Sequence, residues 1–463
     1  MLTRSLPAAP VGQSPRTPAV RWEADTGGPI EWRPVHDADS VYVSNPEAVT
    51  ALNTGDGSLR WKAEIGEALP DVPVPVPNGP VLVQSRGNRG ETWHALDPTD
   101  GHELWSVKAH DLATNPWIDP AGRVYVLSRA EAGAPWRFSC RDPWTGAEKW
   151  SIAEREPEYQ WYQPPVYIDG TLFIGAASEG KYRLSALDPD TGQARWSFDE
   201  GRWVIAPQLG PDHELIAVSE KLDDEDRPYA AVAHAFDACT GEHKWQRILH
   251  ESSDQSSAKI IHAMISDLVV APDGTVLISG PVTEGEKSGL LALDSATGEV
   301  RWQVVTDEYP LELKLAENGD VYYSTFSSQS DGYHLYRLDP HTGQPRWTHE
   351  EPQGPGWLPQ VLQAPAGSLY VEQATRLTHL DPETGKVRWQ SAPFPASIAL
   401  ATIPGAVLLG SWTDNRLGLV AADTGEPRWV YSAGPDFGLD PSIGDTILVS
   451  TGAAGHVIAM DTD

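Results

Sequence analysis

Seven aromatic residues stand at corresponding places along this chain: Tyr159, Trp161, Tyr162, Trp203, Tyr309, Trp357 and Phe437. Acidic residues accompany them: Glu154, Glu156, Glu158, Glu308 and Asp436. Aromatic faces beside carboxylates suit a sugar, a flat ring or a cationic group. The competing reading is that the rings cap the apolar ends of structural elements. A second group lies between Arg247 and Ser266, with His250, Glu251, Asp254, Lys259 and His262. Imidazole next to carboxylate is the material of general acid–base chemistry. A stretch of that length outside regular structure is either functional or a plain insertion. A third group, Lys221, Asp223, Asp224, Glu225, Asp226 and Arg227, sits between Glu220 and Tyr229. It reads as a solvated charged loop and resembles a calcium loop only loosely.

Stronger catalytic signatures are missing. The chain has no H-E-x-x-H, no G-x-S-x-G and no phosphate-binding loop. Its fourteen His are scattered. His102, His243 and His341 fall in or beside turn sequences, where a solvated turn residue is expected. No set of residues has metal-ligand spacing, so no metal is expected. Ligands gathered from distant parts of the fold would escape a reading of spacing.

The elements that position these residues are written in a repeated phrase. A small residue, an apolar residue and Asp are followed by variable residues, Gly and finally Trp. Ala186-Leu187-Asp188 runs through Thr191-Gly192 to Trp196, and Ala292-Leu293-Asp294 through Thr297-Gly298 to Trp302. Further copies end at Trp61, Trp105, Trp150, Trp245, Trp347, Trp389 and Trp429. The residues before Asp alternate as a strand does, and alternation resumes after Gly. Asp-x-x-Thr-Gly is a turn signature, because Asp bonds its own backbone and Gly supplies positive φ. Between phrases lies a second hairpin, as in Val166 to Gly175 around Asp169-Gly170. Two hairpins per period make four strands, and four-stranded units repeated every 40 to 57 residues are propeller blades.

The ends of the chain predict ring closure. Ala459-Met460-Asp461 begins a tenth phrase that is not completed. Thr17-Pro18-Ala19-Val20-Arg21-Trp22 reads as the missing half. The N-terminal strand is therefore expected to finish the last blade, giving an all-β propeller of ten blades. The domain expectation is a tail over 1–16 and one propeller over 17–463. Eight blades with outlying phrases, or two smaller rings, are the alternatives, since propellers usually have four to eight blades.

The phrase resembles the tryptophan-docking repeat of pyrroloquinoline-quinone (PQQ) dehydrogenase-like propellers, from about Trp22 to Asp461. The resemblance implies that Trp22, Trp61, Trp105, Trp150, Trp196, Trp245, Trp302, Trp347, Trp389 and Trp429 pack between blades, while Gly lets the units sit close. It says much less about function, because the same repeat builds quinoprotein dehydrogenases, an outer-membrane assembly lipoprotein and proteins without known chemistry. In the dehydrogenases the cofactor lies on the propeller axis, with a stacked Trp, a vicinal disulfide and a calcium ion held by Glu, Asn and Asp. This chain has two Cys, Cys140 and Cys239, which are not adjacent, and no C-x-x-C-H. The calcium set cannot be matched, so no cofactor is expected.

Composition narrows the partners. The net charge of −31 disfavours nucleic acid and anionic membrane surfaces and favours cationic partners. An acidic or high-salt host explains the same charge. No apolar run approaches a membrane span. Residues 1–18 lack a signal-peptide core, so the expectation is a cytoplasmic protein, or an exported one numbered after removal of a leader. Both Cys are expected to be reduced and unpaired. Three function classes remain. The first is a non-enzymatic binding or scaffold propeller that takes an unknown protein or small molecule, cationic or aromatic, at its loop face and channel mouth. The second is a non-redox enzyme (a lyase, cyclase or hydrolase) working at that mouth. The third, least supported, is a PQQ-dependent dehydrogenase.

Overall fold

The computed structural model describes residues 16–462 except 31, 66–68, 88–89, 110, 113–115, 132–133, 135, 155–164, 179–180, 200–201, 223–227, 252–266, 282–287, 317, 328–331, 353–359, 364–366, 374–375, 392–396, 412–414, 433–437, 444–445 and 452–453. The described residues form β-strands joined by turns, with no α-helix among them. Ten antiparallel sheets are arranged as the blades of one propeller ring. Blades 1 to 9 span residues 35–64, 69–109, 111–154, 166–198, 202–251, 267–306, 309–352, 360–391 and 397–432. Each is a meander in which strands pair in chain order. In blades 2 and 3 the first strand is broken into two short pieces that pair with the same second strand. First strands of successive blades lie against one another, as in blades 4, 5, 6 and 7, so they line the axis.

Blade 10 takes three strands from Gly438–Ile443, Ile447–Thr451 and His456–Met460, and its outer strand from Val20–Asp25. The N-terminal strand pairs antiparallel with His456–Met460, with Val20 opposite Met460 and Asp25 opposite His456. The expected ten blades and their closure are thus present.

The phrase works as its chemistry dictates. In blade 4 the Asp188 carboxylate accepts from the backbone N–H groups of Asp190 and Thr191 and from the Thr191 hydroxyl. Gly192 then turns the chain at φ +67°. The outer strand carries a bulge at Arg195: Leu187 opposes Ala194 but Ala186 opposes Trp196. The bulge turns Trp196 toward the next blade. The bulged Arg195 reaches back to Asp188 at 2.9 Å. Arg301, Arg346 and Arg388 repeat that return to Asp294, Asp339 and Asp381.

Between blades the core is a set of apolar seams. Phe173, Leu184, Ala186 and Trp196 of blade 4 meet Leu215, Ala217 and Phe236 of blade 5. Trp150 shows the docking. Its indole N–H donates to the Pro189 carbonyl at 2.9 Å, and its ring lies so close to Gly192 that a Cβ there would sit 2.4 Å away. Gly192 is therefore needed twice, for its backbone angle and for the approach of the ring.

Candidate functional site

Because a blade is a meander, its connections alternate between two faces of the ring. One face carries the first-to-second and third-to-fourth strand turns. The third-to-fourth turns of blades 1 to 9 are all five or six residues long. The other face carries the second-to-third loops and the blade-to-blade connections. Those connections run from one residue (110) to fifteen (252–266). Departures from a repeat mark the places where a loop has a task beyond folding.

The best-defined polar group on the variable face sits where blade 6 passes into blade 7. Glu308 lies in the two-residue connection between the strands Val300–Thr306 and Tyr309–Leu315. Its backbone N–H is held by the Thr306 hydroxyl at 3.0 Å. Its carboxylate accepts from the Thr325 hydroxyl and, at 3.3 Å, from the Tyr336 hydroxyl, and it lies 2.8 Å from His334 Nδ1. Thr325 and His334 are directly opposed in the second and third strands of blade 7. Burial, then the Glu308 charge, pushes the Tyr336 hydroxyl up to about 12. Tyr309 follows at once and is 54% exposed. A half-buried carboxylate beside an open aromatic ring can receive a cationic group. The Glu308–His334 contact is close in distance, but His334 Nδ1 makes no hydrogen bond among the described residues.

Around this cluster the innermost strands are tied blade to blade. The Asp267 carboxylate of blade 6 accepts from Leu313 N–H of blade 7 at 3.2 Å, and burial raises its pKa. Glu312 accepts from Val361 N–H of blade 8 at 3.0 Å, and Lys314 donates to the Val361 carbonyl. In blade 8 Glu372 is pushed up to about 7 by burial, against a backbone hydrogen bond from Ala399 of blade 9. At the outer rim Glu351 takes Arg376 at 2.5 Å, His349 at 3.1 Å and Thr378 at 3.1 Å. Burial would raise its pKa, but these partners hold it below the usual value.

The residues singled out from sequence are placed unevenly. Tyr309 opens an innermost strand. Trp203 lies in the innermost strand Arg202–Leu209, and its side chain is outside the described residues. Tyr159, Trp161, Tyr162, His262, Trp357 and Phe437 also lie outside them. His250 belongs to the outer strand His243–Glu251, opposite Ala231, at the rim and away from the axis. The outer strand of blade 5 simply runs longer, so the predicted insertion begins after Glu251. Similarly, Glu220–Leu222 and Pro228–Tyr229 are strand, and only 223–227 lies between them. Cys140 is buried and Cys239 exposed, both free.

Two polar lines were not seen in the sequence. In blade 2 Ser85 Oγ is 2.8 Å from His94 Nε2, and His94 Nδ1 is 2.7 Å from Glu103. In blade 5 Ser219 is 2.9 Å from His234 Nε2, and His234 Nδ1 is 3.3 Å from His243. Each His lies three residues before its turn Asp and each third member six residues after it, so aligning the phrases would have found those two members of each line, though not the Ser. The order is that of a nucleophile, a base and an orienting group. Ser85 is only 2% exposed, however, and His94 8%. A substrate has no approach to such a Ser, and the arrangement satisfies buried polar groups inside a seam. Burial, then the neighbouring His243, lowers the His234 pKa to about 3, so this imidazole is neutral.

The quinone and calcium that the repeat's resemblance implies do not fit the described residues. The two Cys lie in different blades. The one group of three described residues able to share a metal is Asp97, Asp100 and His102. These lie on a third-to-fourth turn at the outer rim, and Asp97 already accepts from Thr99. No step is derived through either group.

Fold and seams define a tryptophan-docked β-propeller of ten blades. The chain belongs to the family described as outer membrane protein assembly factor BamB, which matches residues 11–134, 122–312 and 230–397. Quinoprotein ethanol dehydrogenase of Pseudomonas putida is 22% identical over 434 residues, 86% of this chain and 66% of that protein. Serine/threonine-protein kinase AfsK of Streptomyces griseus is 29% identical over 191 residues, 39% of this chain and 22% of the kinase. The chain thus spans less than two thirds of each relative's length. A solved eukaryotic initiation factor covers 86% of this chain and 96% of its own, at 12% identity and a TM-score of 0.54, a likeness of fold alone. BamB from Moraxella catarrhalis covers 95% and 96%, at 16% identity and a TM-score of 0.38. No helix among the described residues is long and apolar enough to cross a membrane.

Proposed function

We propose that this propeller is a non-enzymatic binding or scaffold protein that receives a partner on its variable face and channel mouth. The observation that carries this reading is the contrast between the faces. The turn face repeats one short turn, with its Asp carboxylates answered by backbone N–H groups and Arg. The other face holds the connections of unequal length, the open Tyr309 ring and the Glu308 carboxylate. A net charge of −31 favours a cationic protein or small molecule there. The buried Ser–His lines give no support to an enzyme.

The test is native mass spectrometry of protein purified from its own host, followed by release of whatever it carries. A bound polypeptide or small molecule that is lost from Glu308→Gln and from a Trp203→Ala/Trp357→Ala variant, with the melting temperature unchanged, supports the reading. A bound small molecule that the protein converts to product moves the assignment to an enzyme of the mouth. Variants that melt early instead make these side chains packing groups.

A further inference from the structure

Nine of the ten girdle tryptophans are held alike. The indole N–H groups of Trp22, Trp61, Trp105, Trp150, Trp196, Trp245, Trp302, Trp347 and Trp389 each donate to a carbonyl in the next blade's third-to-fourth turn, at 2.7 to 3.1 Å. Each ring lies on that turn's glycine, where a Cβ would come within 2.4 to 2.6 Å. Trp429, between blades 9 and 10, is 2% exposed, and its indole N–H has no partner among the described residues. Every docking glycine stands four residues before the Trp of its own blade. Counting back from Trp22, that position is Pro18, which is buried. A buried donor left without an acceptor weakens the seam that contains it.

The same seam differs in connectivity. In blades 1 to 9 a turn of five or six residues joins the third strand to the outer strand. In blade 10 those strands are Val20–Asp25 and His456–Met460, held by their ladder and a few side chains. Arg21 pairs with Asp461, His456 lies 2.7 Å from Glu23, and the Thr26 hydroxyl donates to the Gly455 carbonyl at 2.8 Å. Upstream, Val430 N–H donates to the Arg16 carbonyl at 3.0 Å, a bridge to the outer strand of blade 9. Downstream, Trp22 docks on Gly57 of blade 1. Eleven residues, 16–26, therefore span three blades as a strap.

We infer that the ring opens at the seam between blades 9 and 10 and that the strap 16–26 is the element that lets go. Local opening begins where packing is least satisfied and where no covalent turn re-forms the pair at once. The seams that the strap does not cross stay closed, because each keeps its girdle indole bond and its joining turn.

Hydrogen exchange of the full-length protein under native conditions tests this. Amides of Val20–Asp25 and of His456–Met460 should exchange at least tenfold faster than those of matching strands in blades 4 to 7. Equal or greater protection overturns the inference. A pair of variants gives a second reading. Trp302→Phe removes a made bond and strands the Pro340 carbonyl, so it should lower Tm. Trp429→Phe loses a similar part of a buried ring but only an unpaired donor, so it should lower Tm clearly less. Equal losses in the two variants overturn the inference.

Discussion

The seam between blades 3 and 4 and the seam between blades 9 and 10 use the same residue for the same task. Trp150 and Trp429 both end an outer strand's docking segment, and both are buried. Trp150 meets Gly192 and the Pro189 carbonyl, whereas Trp429 meets chain that never closes into the turn. The difference teaches that a buried ring is only part of what a docking tryptophan contributes. The rest lies in the neighbour's turn, which supplies both room and acceptor. In repeat proteins the interface terms carry much of the stability, and a ring adds the demand that the last interface be made by the two chain ends.

The harshest way to break the comparison is to delete residues 1–24. This removes nearly all of the outer strand of blade 10 and Trp22 from the seam with blade 1. Cooperative melting should be lost or shifted down more than by any point substitution. A truncated chain that melts like the parent would show that the N-terminal strand does not close the ring. Next in size is Gly192→Ala, which drives a Cβ into the Trp150 ring and forces a residue with positive φ. A loss of about 3 kcal/mol is expected by denaturant titration, and a loss below about 1 kcal/mol would mean that the ring moves aside freely.

The seam between blades 8 and 9 sharpens the comparison, because Trp389 docks normally there while polar groups beside it are poorly served. Glu372 has a folded-state pKa of about 7 against 4.5 for the free group. Its neutral form is favoured in the native protein, so the contribution of this one group is full below pH 4.5 and is lost as pH rises through 7. Glu372→Gln should therefore stabilise by up to about 3 kcal/mol at pH 8 and by nothing at pH 4. A gain that does not depend on pH would remove the carboxylate as its cause. His379, in the same seam, is 3% exposed with neither ring nitrogen bonded among the described residues, and burial lowers its pKa to about 4. The smallest expected effect is Asp188→Ala, at about 1 kcal/mol. Blade 9 sets the scale, since its turn has Ala421 at this place and still forms, with Gly425 N–H donating to the Ala421 carbonyl at 2.8 Å. A loss of several kcal/mol would mean that the Asp188 carboxylate, not the glycine, holds the turn.

Most of the architecture was legible. Strand alternation before Asp188, the Asx turn and Gly192 are local chemistry, and nine copies of the phrase, Ala421 replacing Asp in blade 9, spell nine blades. The tenth followed from two halves at opposite ends. The candidate site was legible only in part. Tyr309 stood out as one of the recurring aromatic residues, and Glu308 as its acidic companion. His334, Thr325 and Tyr336 did not, since they sit in blade 7 strands that look ordinary. Ser85 and His94 are nine residues apart, while Ser219 and His234 are fifteen apart. The second-to-third loop between them varies in length, so no sequence spacing announces the contact.

From the sequence alone came the blades, their number and the girdle, because turn propensity and alternation act between residues close along the chain. The tertiary structure alone decided that His250 lies on an outer strand, that Glu372 titrates near neutrality and that one girdle tryptophan in ten has no acceptor among the described residues. Burial and hydrogen bonding depend on which atoms of distant segments come to lie within a few ångströms, and that is settled only when the ring has closed.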